Sequence, residues 1–169
     1  PAGWTSMDVC AKLRGILGER RVGHGGTLDP MATGVLPVFV GSATKAVEFA
    51  EAGDKEYVAG LRLGMVTNTQ DSTGEVLEAR AVSVDRGALE AVLPRFTGPI
   101  QQVPPMFSAI KRNGKKLYEL ARKGREVHRD PRPVTIHALE VLEQTGPDWF
   151  LLRVRCSKGT YVRTLCHDV

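Results

Sequence analysis

Residues 23–36 read Gly-His-Gly-Gly-Thr-Leu-Asp-Pro-Met-Ala-Thr-Gly-Val-Leu, which places one carboxylate, Asp29, in a glycine-rich loop before a short apolar segment. Glycine allows positive φ and a close approach of the backbone to a ligand. Pro30 fixes φ directly after the carboxylate and favours an extended conformation for Asp29. We therefore expect a loop that presents Asp29 beside a large, flat substrate. Taken alone, the same residues also fit an ordinary turn that begins at Asp29-Pro30.

No cofactor or metal motif accompanies this loop. Leu28 stands where a G-x-G-x-x-G motif needs its third glycine, and the sequence has no Gly-Lys-Ser/Thr of a P-loop. The cysteines are Cys10, Cys156 and Cys166, with no C-x-x-C pair, so neither a disulfide framework nor a zinc site is indicated. No stretch approaches the roughly 18 apolar residues of a membrane span. We expect a reduced, cytoplasmic protein that binds no cofactor, no metal and no membrane.

Positive charge is concentrated in one part of the chain. The whole sequence carries a net charge of +4, whereas residues 111–132 hold nine Lys and Arg against three acidic residues, a local charge of +6. The remainder is therefore slightly acidic. A single basic segment on a nearly neutral protein is typical of a surface that binds the phosphates of a nucleic acid, although a solvated helix face also fits.

The alternation of apolar and polar residues predicts a mixture of helices and strands without repeats. We expect helices at residues 6–17, 43–52, 85–96 and 117–123, strands at 35–40, 57–63, 134–138 and 150–156, and a turn at 71–74. Hairpin connections without a regular βαβ spacing favour the α+β class, with helices flanking a mixed, mostly antiparallel sheet.

Five segments of the chain, in this order, resemble those of the TruB-type tRNA pseudouridine synthases. They are similar to the family's K-P-x-G-x-T-S opening, its G-H-x-G-T-L-D-P-x-A-T-G-V-L signature, its D-K-x-Y…L-G strand, its RNA-gripping insertion and its K-G-T-Y-I-R segment. The resemblance covers essentially the whole chain, and residues 32–37 are closer to the bacterial, stand-alone enzymes than to guide-RNA-dependent ones. The matching residues are 1–6, 23–36, 54–64, 104–124 and 157–163.

The resemblance implies the pseudouridine synthase catalytic fold and one catalytic domain, residues 1–169, with a basic insertion at about 99–133. The lysine that precedes the opening proline in the family is missing before Pro1. At the other end, the family's next strand and its usual C-terminal RNA-binding domain do not follow Val169. We therefore expect a catalytic domain truncated at both ends.

The implied activity is the isomerisation of uridine to pseudouridine in the T-loop of tRNA, at tRNA position 55, after the base is flipped out. By resemblance, Asp29 is the catalytic aspartate, Tyr57 stacks on the target base, and Arg163 pairs with the aspartate. Asp29 has to stay charged in a site that excludes water, and a guanidinium favours the charged form. The sequence leaves open whether Asp29 attacks C1′ or removes a sugar proton.

The resemblance also implies the residues that bind the RNA. His24 fills the gap that the flipped uridine leaves, and cationic side chains hold the phosphates. The protein is then a monomer that binds the T-arm of tRNA and needs no protein partner. The expected RNA-binding residues are His24, Lys111, Lys115, Lys116, Arg122 and Lys158.

Two other interpretations use the same residues differently. A non-catalytic module that binds or folds tRNA would share the basic segment but would need neither Asp29 nor Arg163. A retaining glycosidase needs two carboxylates about 5 Å apart, whereas the loop supplies one, so this reading is disfavoured.

Overall fold

The computed structural model describes residues 3–169. Pro1 and Ala2, with which the expected family opening begins, lie outside the described residues. The chain forms two compact units that divide after Gly53.

The first unit begins with α1 (Ser6–Leu17), which has the bounds that the sequence predicts. Thr5 caps its N-terminus in a reciprocal capping box, in which Asp8 N–H donates to Thr5 Oγ1 at 3.2 Å and Thr5 N–H donates to Asp8 Oδ2 at 2.8 Å. Gly18 ends the helix in the left-handed conformation, with φ of 62°. Both ends of this helix are therefore set by local sequence.

A short hairpin and a second helix complete the first unit. Strands β1 (Val22–His24) and β2 (Val38–Val40) pair antiparallel, with His24 opposite Val38. The expected strand at 35–40 is thus reduced to its last three residues. The expected helix at 43–52 is a 3₁₀ turn (Gly41–Ala46) followed by α2 (Val47–Glu51). Thr44 Oγ1 donates to the Gly41 carbonyl at 2.8 Å and so favours the tighter turn.

The second unit is built on a four-stranded antiparallel sheet. Its strands are β3 (Lys55–Arg62), β6 (Gly98–Gln102), β9 (Arg132–Gln144) and β10 (Trp149–Cys156), in the spatial order β3-β10-β9-β6. Alternate residues of β10 are fully buried, namely Phe150, Leu152, Val154 and Cys156. This period of two is the pattern that predicts strands at 57–63 and 150–156. The α+β class with a mainly antiparallel sheet is confirmed.

Two helices contribute to the core of this sheet. Helix α3 (Arg86–Val92) is capped by Asp85 and continues as a 3₁₀ turn (Leu93–Phe96), because Pro94 cannot donate a helical hydrogen bond. Helix α5 (Val162–Asp168) lies near the end of the chain. Leu89, Leu93 and Leu165 are buried in the same cluster as the β10 residues.

Two small hairpins and a short helix complete the second unit. Strands β4 (Met65–Thr67) and β5 (Val76–Ala79) enclose the predicted turn at 71–74. Strands β7 (Lys111–Arg112) and β8 (Lys115–Lys116) precede α4 (Leu117–Ala121), which is two residues shorter than expected. In the described part of the chain, no helix is both long enough and apolar enough to cross a membrane.

Candidate catalytic and RNA-binding site

Asp29 lies in a loop that the first unit holds at several points. The Asp29 carbonyl accepts from Ala32 N–H at 2.8 Å, which closes a turn with Pro30 at its second position. Just before it, the hydroxyl of Ser6 on α1 accepts from Leu28 N–H at 3.0 Å. The Asp29 residue is half-buried. A turn at Asp29-Pro30 is therefore present, and it fixes the backbone of the expected catalytic residue.

The glycines of this loop have different uses. Gly26 adopts a φ of 86°, and its N–H donates to Glu51 Oε1 at 2.9 Å. Gly25 has no positive φ, but a Cβ there would lie 3.2 Å from Cε2 of Phe39, so close packing favours a glycine. At Gly23 there is neither a positive φ nor a tight contact. The expectation that positive φ explains the glycines therefore fails for Gly23 and Gly25.

His24 ends β1 at the start of the same loop and is half-buried. Its Nδ1–H donates to the carbonyl of Gly26, two residues along the chain. This bond orients the ring and does not involve Nε2, the second ring nitrogen. The wedge role expected for His24 stays a prediction.

Tyr57 occupies β3 opposite Val154 of β10. Its side chain packs against the edge of the hydrophobic cluster and remains half-buried. The edge strand β3 and its neighbour β10 therefore support the ring that is expected to stack on the target base.

Arg163 lies in the first turn of α5 with a side chain that is only 12% exposed. Its Nη1–H donates to the carbonyl of Thr69 at 2.7 Å, and its Nη2–H donates to the carbonyl of Phe107 at 3.1 Å. Asp71 Oδ2 lies 3.4 Å from Nη1. The guanidinium is thus fixed by three groups from two separate loops, unlike a solvated surface charge. Its expected pairing with Asp29, which belongs to the other unit, stays a prediction.

Lys158 is exposed on a tight loop between β10 and α5. Thr160 Oγ1 donates to the Ser157 carbonyl at 2.9 Å, and Ser157 N–H donates to the Thr135 carbonyl of β9 at 2.8 Å. Gly159 takes a φ of 82°, which the turn requires. The sheet therefore holds this loop while the lysine points into solvent.

Four cations occupy the β7-β8 hairpin, with Lys111 opposite Lys116 and Arg112 opposite Lys115. The turn is Asn113-Gly114, with φ of 50° and 78°, as in the two-residue turns that suit hairpins. Like charges directly across two strands are destabilising. In the described part of the chain, no salt bridge joins Lys111, Lys115, Lys116 or Arg122 to a carboxylate. The hairpin is therefore a surface that an external anion would stabilise.

Tyr118 of α4 holds two of the expected RNA-binding cations. Lys116 Nζ lies 5.4 Å from the ring centroid, and the guanidinium carbon of Arg122 lies 5.2 Å from it. Such cation–π contacts restrict long side chains that are otherwise free. The structure therefore gathers Lys116 and Arg122 at one ring beside the hairpin that carries Lys111 and Lys115.

Between residues 3 and 169, no group of three or more His, Cys, Asp or Glu side chains is arranged to hold a metal ion. The three cysteines are free thiols, and burial raises the pKa of Cys166 to about 11. What the two units offer is a half-buried carboxylate on a fixed loop, a fixed guanidinium and an exposed basic hairpin.

The model of the TruB family pseudouridylate synthases, N-terminal domain, matches residues 14–162. The chain belongs to this family.

TruB relatives at about half identity cover the whole chain. The tRNA pseudouridine synthase B of Symbiobacterium thermophilum is 54% identical over 172 residues, that of Azoarcus sp. is 52% identical over 169 residues, and that of Pseudomonas putida F1 is 51% identical over 169 residues. These alignments cover 100% of this chain but 58%, 56% and 55% of the relatives. The chain therefore spans a little more than half the length of the relatives it matches.

Solved structures similar to this TruB chain include a Cbf5-Nop10-Gar1 complex, with a TM-score of 0.72 and 34% identity over 99% of this chain and 40% of the other. Another is an H/ACA RNP bound to a substrate RNA containing 2′-deoxyuridine, with a TM-score of 0.69, 30% identity and coverage of 99% and 39%. These likenesses confirm the pseudouridine synthase fold.

The sequence pattern of this TruB chain gives no functional role to Asp71. It predicts a plain turn at residues 71–74, and the structure has that turn. The carboxylate nevertheless lies beside Arg163, a residue more than 90 positions away. The only sequence signal was an acidic residue in a turn rich in hydroxyl side chains, which is too common to suggest such a contact.

Proposed function

We propose that the protein carrying this chain isomerises uridine to pseudouridine in the T-loop of tRNA, at tRNA position 55. The observation that carries the proposal is membership of the TruB family over residues 14–162. Asp29, Tyr57 and Arg163 support it, because they stand in the segments that resemble the family motifs. The relatives' name, tRNA pseudouridine synthase B, supports tRNA as the substrate. Their length, nearly twice that of this chain, makes the activity a proposal for the protein that carries it.

The reaction breaks the bond from N1 of uracil to C1′, turns the base and joins C5 to C1′. The product is an isomer, so no oxidant, reductant or leaving group is exchanged. Asp29 acts on the sugar, either by attack on C1′ or by removal of a proton, and Arg163 stabilises the carboxylate. Tyr57 stacks on the base, and its hydroxyl assists the loss of the C5 proton after the new bond has formed.

Binding of the T-arm rests on the basic hairpin. Lys111, Lys115, Lys116 and Arg122 neutralise phosphates whose counterions are released. Lys158 adds a cation on the loop before α5, and His24 fills the stack after the base has left it. The protein acts as a cytoplasmic monomer on this proposal, and it needs no protein partner.

The first experiment combines a catalytic and a binding measurement on Asp29→Asn. We expect pseudouridine formation on an unmodified tRNA transcript to fall by about 10³-fold or more, because the neutral amide neither attacks nor accepts a proton. The Kd for tRNA should stay within about threefold, since the phosphate contacts are unchanged. Asp148→Asn, in the turn between β9 and β10, is the matched control and should keep full activity, because this carboxylate pairs with Arg62 and not with an expected site residue.

The same experiment separates the non-catalytic alternative. A parent protein that binds the transcript but forms no pseudouridine would refute the enzymatic proposal and favour an RNA-binding module. Full activity in Asp29→Asn would instead refute the role of Asp29.

A further inference from the structure

Gln102, the last residue of β6, is a buried polar side chain that the proposed chemistry does not use. It is 2% exposed. Its amide makes two hydrogen bonds with the backbone of Tyr161, 59 residues further along the chain. Tyr161 N–H donates to Gln102 Oε1 at 2.8 Å, and Gln102 Nε2–H donates to the Tyr161 carbonyl at 3.1 Å. A backbone N–H can only donate and a carbonyl can only accept, so these partners fix the orientation of the amide.

Tyr161 is the N-cap residue of α5, and its own side chain makes no capping hydrogen bond. The N-cap carbonyl accepts the first helical bond, here from Leu165 N–H at 3.0 Å. Gln102 therefore holds both backbone groups of the residue at which the helix begins. The placement of this N-cap sets the direction of the first turn of α5.

Arg163 is the second residue of that turn. Its guanidinium reaches the Thr69 carbonyl and Asp71 on one side and the Phe107 carbonyl on the other. A displaced N-cap would move all three contacts together. Gln102 and Phe107 lie five residues apart in the segment that leads from β6 to the basic hairpin, so this segment contacts the start of α5 twice.

We propose that Gln102 is a positioning residue for the reaction, which fixes the N-cap of α5 and thereby the guanidinium of Arg163. The inference rests on the function proposed above. It predicts a loss in the rate of the chemical step that exceeds any loss in tRNA affinity, because Lys111, Lys115, Lys116 and Arg122 lie on other elements and only Lys158 is close to this N-cap. A buried glutamine that only satisfied its own polar atoms would affect stability alone.

The test compares Gln102→Met, which keeps the length of the side chain without its amide, with Gln102→Glu, which keeps the acceptor for Tyr161 N–H. Gln101→Met, at the exposed neighbour on the same strand, is the matched control. For Gln102→Met we expect kcat for pseudouridine formation to fall at least tenfold with KM within twofold, and hydrogen exchange of the Tyr161 amide to accelerate at least tenfold. Gln102→Glu should show a smaller fall in kcat and a smaller acceleration of amide exchange, and Gln101→Met should match the parent.

The kcat of each folded variant and the exchange rate of its Tyr161 amide decide the matter. Loss of kcat with an exposed Tyr161 amide in either Gln102 variant, at a temperature where the variant is folded, supports positioning. Unchanged kcat in a folded variant overturns it, as does a loss confined to KM. If Gln102→Met fails to fold, Gln102→Glu decides alone by the same criteria. A parent protein without activity on tRNA refutes the proposed function instead, while the exchange of the Tyr161 amide still tests the contact.

Discussion

The carboxylate of Asp71 accepts hydrogen bonds from three groups near it in sequence. Thr69 Oγ1–H donates to Oδ1 at 2.8 Å, Thr73 N–H at 2.9 Å and Thr73 Oγ1–H at 2.6 Å. Burial opposes the charged form, but these bonds and the Arg163 guanidinium outweigh it, so the pKa of Asp71 lies below its ordinary value of 3.8. An ionised Asp71 therefore holds Arg163 from one side at neutral pH.

This assignment predicts the pH dependence of an Asp71→Asn variant. A carboxyl with a pKa lower in the folded than in the unfolded state contributes stability above the unfolded value and loses it as the pH falls through the folded value. We expect the variant to be less stable than the parent by about 1 to 2 kcal/mol at pH 7. The difference should shrink as the pH falls below about 3.8, because the unfolded parent gains a proton there, whereas the folded parent gains one only at a lower pH.

Urea unfolding at intervals from pH 7 to pH 3 measures this difference. Asp130→Asn is the control, since the Asp130 side chain is 83% exposed and its loss should cost under about 0.5 kcal/mol. Equal stability of Asp71→Asn and the parent at pH 7, or a difference that persists undiminished at pH 3, would contradict the assignment.

At the scale of elements, the helices and strands that are best predicted from the sequence are those with one buried face. Helix α1 has its predicted bounds because Thr5, Asp8 and Gly18 determine both ends locally. Strand β10 shows a regular period of two. Strands β1, β4 and β7 were not predicted, because two or three residues carry too little pattern and their pairing depends on the tertiary fold. Strand β6 was missed because it contains Gly98 and Pro99, which usually indicate a loop.

Gly64 shows how the β4-β5 hairpin, whose first strand was not predicted, depends on a residue in a family motif. It adopts a φ of 76° in the connection from β3 to β4, and a Cβ there would overlap the Arg80 carbonyl oxygen. Arg80 N–H also donates to the Gly64 carbonyl at 2.8 Å, so the two backbones cannot separate without loss of this bond. The Leu-Gly part of the D-K-x-Y…L-G resemblance thus has a structural reason.

We expect Gly64→Ala to destabilise the protein by about 2 to 4 kcal/mol through left-handed strain and steric overlap. Thermal unfolding would show the loss. Gly60→Ala is the matched control, since Gly60 has no positive φ and the nearest atom to its Cβ, on Trp149, is 4.0 Å away. The free energy of unfolding of that variant should be within about 0.5 kcal/mol of the parent value or slightly above it. Equal effects of the two changes would rule out the backbone overlap as the cause.

At the scale of the whole molecule, the sequence predicts the candidate site residues but not their surroundings. Asp29, Tyr57 and Arg163 are predicted from resemblance alone, because motifs can be matched along the sequence without any knowledge of contacts. The supports of Arg163 come from Thr69, Asp71 and Phe107, far away in the chain, and only the folded chain brings them together. Charge distribution, by contrast, is read directly from the sequence, because the excess of positive charge falls in one continuous segment, residues 111–132.

The concentration of charge in residues 111–132 makes a specific prediction about salt. If the hairpin binds phosphates, Lys111→Ala with Lys115→Ala should weaken tRNA binding about tenfold and flatten the slope of log Kd against log salt by about 1.5, since each lost phosphate contact removes about 0.7 to 0.9. Lys12→Ala with Lys45→Ala removes the same charge from exposed positions of the first unit. Titrations of labelled tRNA at several salt concentrations compare the two pairs. An equal loss of slope in both would mean that net charge, rather than the hairpin, attracts the RNA.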